Sequence, residues 1–155
     1  MDCSTEAGFG AVGPDGEASL NTNLVSQLRL TQEEIERQVQ ITVGTIKRRN
    51  ELFRKGRQFP LLKDKIVIIV DDGLASGYTM LSAVDFIKRH KPEKVVVAVP
   101  TAPKGTVDLI LPQVDELVCL NVRSGFTFAV ADAYEKWYDF EDEEVISILR
   151  SFHIG

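Results

Sequence analysis

Three runs of apolar, largely β-branched residues constrain this chain more than any other feature: "KIVIIV" (65–70), "KVVVAV" (94–99) and "ELVCLNV" (116–122). The first is a continuous apolar run without alternation, the pattern of a strand buried on both faces of a parallel sheet. The second reads as another buried strand, ended by Pro100, and the third as a further strand. Between them, "TMLSAVDFIKRH" (79–90) has helical spacing, with Met80, Ala83, Val84 and Ile87 on one side, and "GTVDLILPQV" (105–114) reads as a shorter helix. Strand, helix, strand, helix, strand means an α/β fold built on a parallel sheet with right-handed crossovers and flanking helices.

The ends of the chain dress this centre. "FGAVGPDGEASLN" (9–21) predicts a short hairpin, its "GPDG" placing proline and glycine at turn positions. Thr31 and Glu34 have the spacing of a capping box, and Ile35, Val39, Val43, Ile46 and Phe53 give the helix behind them one apolar stripe. Its polar face shifts from acidic ("TQEEIE") to basic ("KRRNELFRKGR"), which suits the helix dipole, and Gly56 and Pro60 close the segment. "SGFTFAVADAYEKWYDF" (124–140) is aromatic-rich and irregular, and "EDEEVISILRSF" (141–152) is an amphipathic helix. At 155 residues one domain is expected: hairpin and long helix over 1–60, the sheet core over 61–125, and an aromatic segment with its helix over 126–155.

A formal net charge of −5 argues against broad electrostatic binding to nucleic acid. Cys3 and Cys119 make neither a disulfide framework nor a metal cluster, and Cys119 in "ELVCL" reads as a small buried hydrophobe. No stretch is long enough to cross a membrane, and "MDCSTEAGFG" lacks the basic start and apolar centre of a signal peptide. The expectation is a cytoplasmic protein with no membrane partner.

The first strand ends on two acids and a glycine loop, "IVIIVDDGLASGYTM" (66–80). In an open parallel sheet, ligands bind beyond the carboxyl ends of the strands, which is where Asp71 and Asp72 stand. "GLASGY" then places several backbone N–H groups at a helix N-terminus, where they and the dipole favour a phosphate. Gly73 and Gly77 let a ligand approach closely, and Ser76 and Thr79 add hydroxyl donors. The carboxylates would repel a phosphate they touched, so they serve another part of the ligand. As acceptors they match ribose hydroxyls. The loop therefore reads as a ribose 5-phosphate grip, with acids for the 2′ and 3′ hydroxyls and amides for the 5′-phosphate.

"VIIVDDGLASGYTM" closely resembles the phosphoribosyl diphosphate signature of type I phosphoribosyltransferases: four apolar residues, two acids, then a Gly/Ser/Thr-rich phosphate loop. "EAGFGAVGPDG", "TQEEIERQV", "VVVAVPTAP", "VDELVCLNV" and "FAVADAYEKWYDFEDEEV" are similar, in the same order, to a group of small phosphoribosyltransferases of bacteria and archaea. The resemblance covers nearly the whole chain. It implies the type I fold and binding of phosphoribosyl diphosphate, or a nucleoside monophosphate, by Asp71, Asp72, Gly73, Leu74, Ala75, Ser76, Gly77, Tyr78 and Thr79. It further implies transfer of ribosyl 5-phosphate to a nitrogen nucleophile, with Mg2+ held mainly through the substrate.

Three positions depart from the family pattern. Ser76 replaces the commoner threonine and keeps the hydroxyl, whereas Tyr78 stands where a small residue is usual, so its ring must turn away from the phosphate or wall the pocket. Ala75 occupies a position where purine-salvage relatives carry an aspartate, so no general base is assigned and the catalytic residues are unknown. Type I enzymes also place a βα unit, a pyrophosphate-binding loop and another strand ahead of the region matched here. Nothing in this sequence matches them, so the fold is expected to be N-terminally short through truncation or nature. An unpaired apolar edge should follow, and with it self-association into a homo-oligomer.

Other α/β sites fit less well. A receiver domain also begins "VDD", but its acceptor aspartate ends a later strand, and here that strand ends "VVVAVP". A haloacid-dehalogenase-type phosphatase needs Asp-x-Asp, whereas Asp71 and Asp72 are adjacent; a Rossmann site puts its glycines before its acid. A purely structural turn leaves the hydroxyls and both glycines as coincidence. His90 and His153 read as surface or capping residues, Lys104 as solvated, and Phe128, Tyr134, Trp137 and Tyr138 as packing for a C-terminal hood. The alternative to a transferase is a non-catalytic or regulatory module that binds a nucleotide or sugar phosphate through the same loop.

Overall fold

The computed structural model describes residues 9–125 and 127–152, so Cys3 and His153 lie outside the described residues. Strands β1 (Gly10–Val12) and β2 (Ala18–Leu20) form the expected antiparallel hairpin, closed by the Gly13 N–H donating to the Glu17 carbonyl at 2.8 Å. A short helix α1 (Thr22–Gln27) follows, capped by Asn21, whose side chain accepts from the Leu24 N–H. The hydrophobic pattern gave no sign of it; the cap residue is its only sequence mark. Helix α2 (Gln32–Arg54) opens on the complete Thr31–Glu34 capping box, with both reciprocal hydrogen bonds formed. It stops at Lys55, which takes a left-handed conformation (φ 50°).

Strand β3 (Ile66–Val70), helix α3 (Tyr78–Arg89), strand β4 (Lys94–Pro103), helix α4 (Lys104–Ile110) and strand β5 (Glu116–Arg123) make the α/β centre. The three strands are parallel in the order β3-β4-β5, with Ile68 opposite Val96 and Ala98 opposite Val118. A 3-10 turn (Leu111–Gln113) links α4 to β5, a second (Val130–Ala133) begins the aromatic segment, and helix α5 (Asp142–Ser151) ends the described chain.

The core lies on one face of the sheet. Met80, Val84 and Ile87 of α3 and Ile110 of α4 pack on Val95, Val97 and Val99, with Val67, Ile69, Leu117 and Cys119 beside them. Strand order advances in one direction, so two crossovers of the same hand put α3 and α4 on the same side. The opposite face is largely bare: Ile66, Ile68 and Val70 are 59%, 62% and 73% exposed and Leu120 is 82% exposed, while Val96 of the central strand is buried. This corrects the expectation that "KIVIIV" is buried on both faces. The run is apolar on both sides, but the described residues cover only one of them. The hairpin packs on α3, and α2 touches the hairpin and α5.

Pro100 also behaves differently from expectation. It does not end β4, which stays in register with β5 from Val99 opposite Cys119 to Pro103 opposite Arg123. Pairing with β3 stops at Ala98, so beyond it β4 has a strand on one side only, where a proline is tolerated.

Candidate ligand site

Asp71 and Asp72 follow directly on the last residue of β3, at the carboxyl end of the sheet. The turn after them is fixed by its neighbours. The Leu74 N–H donates to the Thr101 carbonyl of β4 at 3.0 Å, and the Thr106 hydroxyl of α4 donates to the Ala75 carbonyl at 2.6 Å. Gly73 is buried where a Cβ would come within 2.7 Å of Val130 and 3.0 Å of Thr101. Any side chain there would have to displace Val130 or Thr101.

Gly77 is the N-cap of α3, with φ at 83° and no side-chain hydrogen bond to the first turn. A side-chain cap would occupy amides that an anion could otherwise use. Here they are left to the loop's surroundings, at the positive end of the helix dipole. Ser76 and Thr79 are exposed beside them, and Tyr78 is half-buried and lines the same cleft. Every residue from Asp71 to Thr79 lines this cleft of about 190 Å³, joined by Gly10, Met80, Val130 and Trp137. That volume is below the roughly 300–1,000 Å³ of sites for drug-sized ligands, and it suits a compact polar ligand.

The two acids are not equivalent. Asp71 keeps contact with solvent, yet partial burial in the loop pushes its carboxyl above the ordinary aspartate range, and the Asp72 carboxylate adds to the rise. The Asp72 N–H, donating to Asp71 Oδ1 at 3.1 Å, opposes it. Two adjacent hard-oxygen donors fit Mg2+, which binds through one or two carboxylates and fills its remaining positions with substrate phosphate oxygens and water. Among the described residues, no group of three or more His, Cys, Asp or Glu side chains could hold a metal ion.

Sequence reading missed part of the site. Thr101, Thr106, Val130 and Tyr134 support the loop from later elements, and the Tyr134 hydroxyl donates to the Asp72 carbonyl at 2.7 Å. Trp137 lines the cleft and lies 5.1 Å from Tyr134, ring centre to ring centre. The aromatic density of 124–140 marked the segment without saying which rings reach the loop. Nothing local marked Thr106. Lys104 pairs with Asp108 on its own helix, and His90 caps the C-terminus of α3, its Nδ1 2.9 Å from the Phe86 carbonyl oxygen. No helix among the described residues is long and apolar enough to cross a membrane.

A family model described as "Phosphoribosyl transferase domain" matches residues 18–135. A Mycobacterium tuberculosis protein named "Putative phosphoribosyl transferase" is 36% identical over 148 residues, 96% of this chain and 33% of that protein. The uracil phosphoribosyltransferase of Mycoplasma genitalium is 40% identical over 65 residues, covering 36% of this chain and 32% of that enzyme. The crystal structure of the protein TT1426 from Thermus thermophilus superposes with a TM-score of 0.70 at 32% identity, over 94% of this chain and 68% of that one. The chain thus spans about a third of the length of the curated relatives it matches.

Proposed function

Because this chain belongs to the phosphoribosyl transferase family, we propose that residues 71–79 bind the ribose 5-phosphate portion of phosphoribosyl diphosphate or of a nucleoside monophosphate. One observation carries the reading: paired carboxylates and a helix N-terminus without a side-chain cap line the same small cleft. The amides of 75–79 take the 5′-phosphate. The carboxylates of Asp71 and Asp72 accept from the 2′ and 3′ hydroxyls, an assignment that separates like charges.

In the transferase reading, the ribosyl phosphate passes to a nitrogen nucleophile and pyrophosphate leaves, through a transition state with oxocarbenium character. The work of this chain's residues is positional: the loop immobilises the sugar, and the acids orient its hydroxyls. Asp71 and Asp72 are the residues that would help hold Mg2+, which would supply charge neutralisation on the diphosphate if bound with the substrate. The same loop serves equally in a module that binds nucleotide without turnover. That reading is favoured by Ala75, which leaves the loop without a titratable group at the position where purine-salvage relatives have an aspartate.

Calorimetric titration with ribose 5-phosphate tests the binding assignment. Replacing both acids by asparagine should abolish binding and leave the fold intact, because both are exposed at a strand end. Normal binding by the double variant would show the ribose assignment to be wrong. Pyrophosphate release from phosphoribosyl diphosphate, measured with a panel of purine and pyrimidine bases, separates the transferase from the binding module.

A further inference from the structure

The turn that carries the acids is held at three backbone points. Two of them, Leu74 N–H on Thr101 and Ala75 carbonyl under Thr106, lie on its far side, toward the phosphate end. The Asp72 carbonyl is the only one of the three belonging to an acid, and its partner is the Tyr134 hydroxyl at 2.7 Å. The segment that delivers Tyr134 is itself anchored. Val130 is buried against Gly73 and Thr101, the Tyr134 N–H donates to the Ala131 carbonyl at 3.1 Å, and Arg123 of β5 lies 3.8 Å from the Asp132 carboxylate.

We propose that Tyr134 is a positioning residue for the paired acids, its hydroxyl fixing the Asp72–Gly73 peptide so that both carboxylates are held toward the ribose. The role rests on the ribose assignment made above. Asp72 is exposed, and its carbonyl would otherwise be free to turn to water, carrying the preceding side chains with it. Tyr134 is 38% exposed and packs its ring on Trp137, so a substitution that keeps the ring isolates the hydroxyl. Its hydroxyl bonds the backbone of an acid and it is not among the residues that line the cleft, and so it acts through Asp72.

The test compares the full chain with Tyr134→Phe, which keeps the ring and removes only the hydroxyl. Hydrogen exchange on the ligand-free proteins should show faster exchange of the amides at 72–74 in the variant, with α3 and β4 unchanged. Titration should show ribose 5-phosphate bound about fivefold more weakly, the worth of one hydrogen bond, while inorganic phosphate binds as before. Unchanged exchange at 72–74 overturns the proposal, whatever the ligands do. Equal weakening of both ligands also overturns it, since that marks general loosening and not a hold on the ribose side. If the wild-type protein binds neither ligand, the ribose assignment fails on its own, and the exchange data still decide whether Tyr134 holds the turn.

Discussion

Gly77→Ala should separate the two reasons this position is glycine. Gly77 has φ at 83°, and a Cβ there would lie 2.7 Å from Thr106 Cγ2. Placing alanine in the left-handed region costs about 1–2 kcal/mol. Forcing a methyl against the Thr106 side chain adds about 1–3 kcal/mol of overpacking. The sum, about 2–5 kcal/mol, is a large share of the roughly 5–15 kcal/mol by which a domain of this kind is stable. Urea denaturation measures it directly. The decisive variant is Gly77→Ala with Thr106→Ser, which removes the offending methyl and keeps the hydroxyl that supports Ala75. It should recover the overpacking share and leave the backbone share. Inorganic phosphate binding should fall in the single variant and return in part in the double. A single variant within about 0.5 kcal/mol of wild type (the roughly neutral range for surface changes), or a double variant no more stable than the single, would refute this account of the loop.

Two further outcomes follow from the site and the sheet. The Asp71 carboxyl lies above its ordinary value of 3.8, so its proton-linked stabilisation is full below that pH and lost as pH rises through the folded value. Asp71→Asn should therefore stabilise the protein at pH 7, by up to about 0.5 kcal/mol given its solvent contact, with the gain vanishing below pH 3.8; equal differences in urea denaturation at pH 7 and pH 3 would contradict this. The bare sheet face should drive self-association at micromolar concentration, and Ile68→Lys with Leu120→Lys should yield monomer in sedimentation velocity, whereas a monomeric wild type would count against it.

The parallel sheet, α2 with its capping box, the hairpin and the placing of residues 71–79 were all legible, because each is written in local sequence: β-branched runs, a cap spacing, turn residues, a glycine loop. The exceptions share a cause. Apolar residues on both sides of β3 say that both faces can be buried, but not whether the chain in hand does so. Pro100 is a breaker only where a neighbouring strand needs the N–H it lacks, and β3 has already ended at Val70. The hydroxyls of Thr106 and Tyr134 acquire meaning only through partners 31 and 62 residues away, beyond the reach of a local pattern.

Those separations also order the assembly of the site in time. The phosphate end of the loop is complete once α4 has docked, because its supports are Thr101 and Thr106. The acid end waits for Val130 and Tyr134, which lie well beyond α4 in the chain. Synthesis from the N-terminus would therefore deliver the supports of the phosphate loop before those of the acid turn, and an opening from the C-terminus would free the acid turn first, giving a form whose phosphate loop is built while its acid turn is loose. Such a form would hold any phosphate alike. On the ribose assignment proposed above, discrimination in favour of a sugar would be the last property the site gains and the first it gives up.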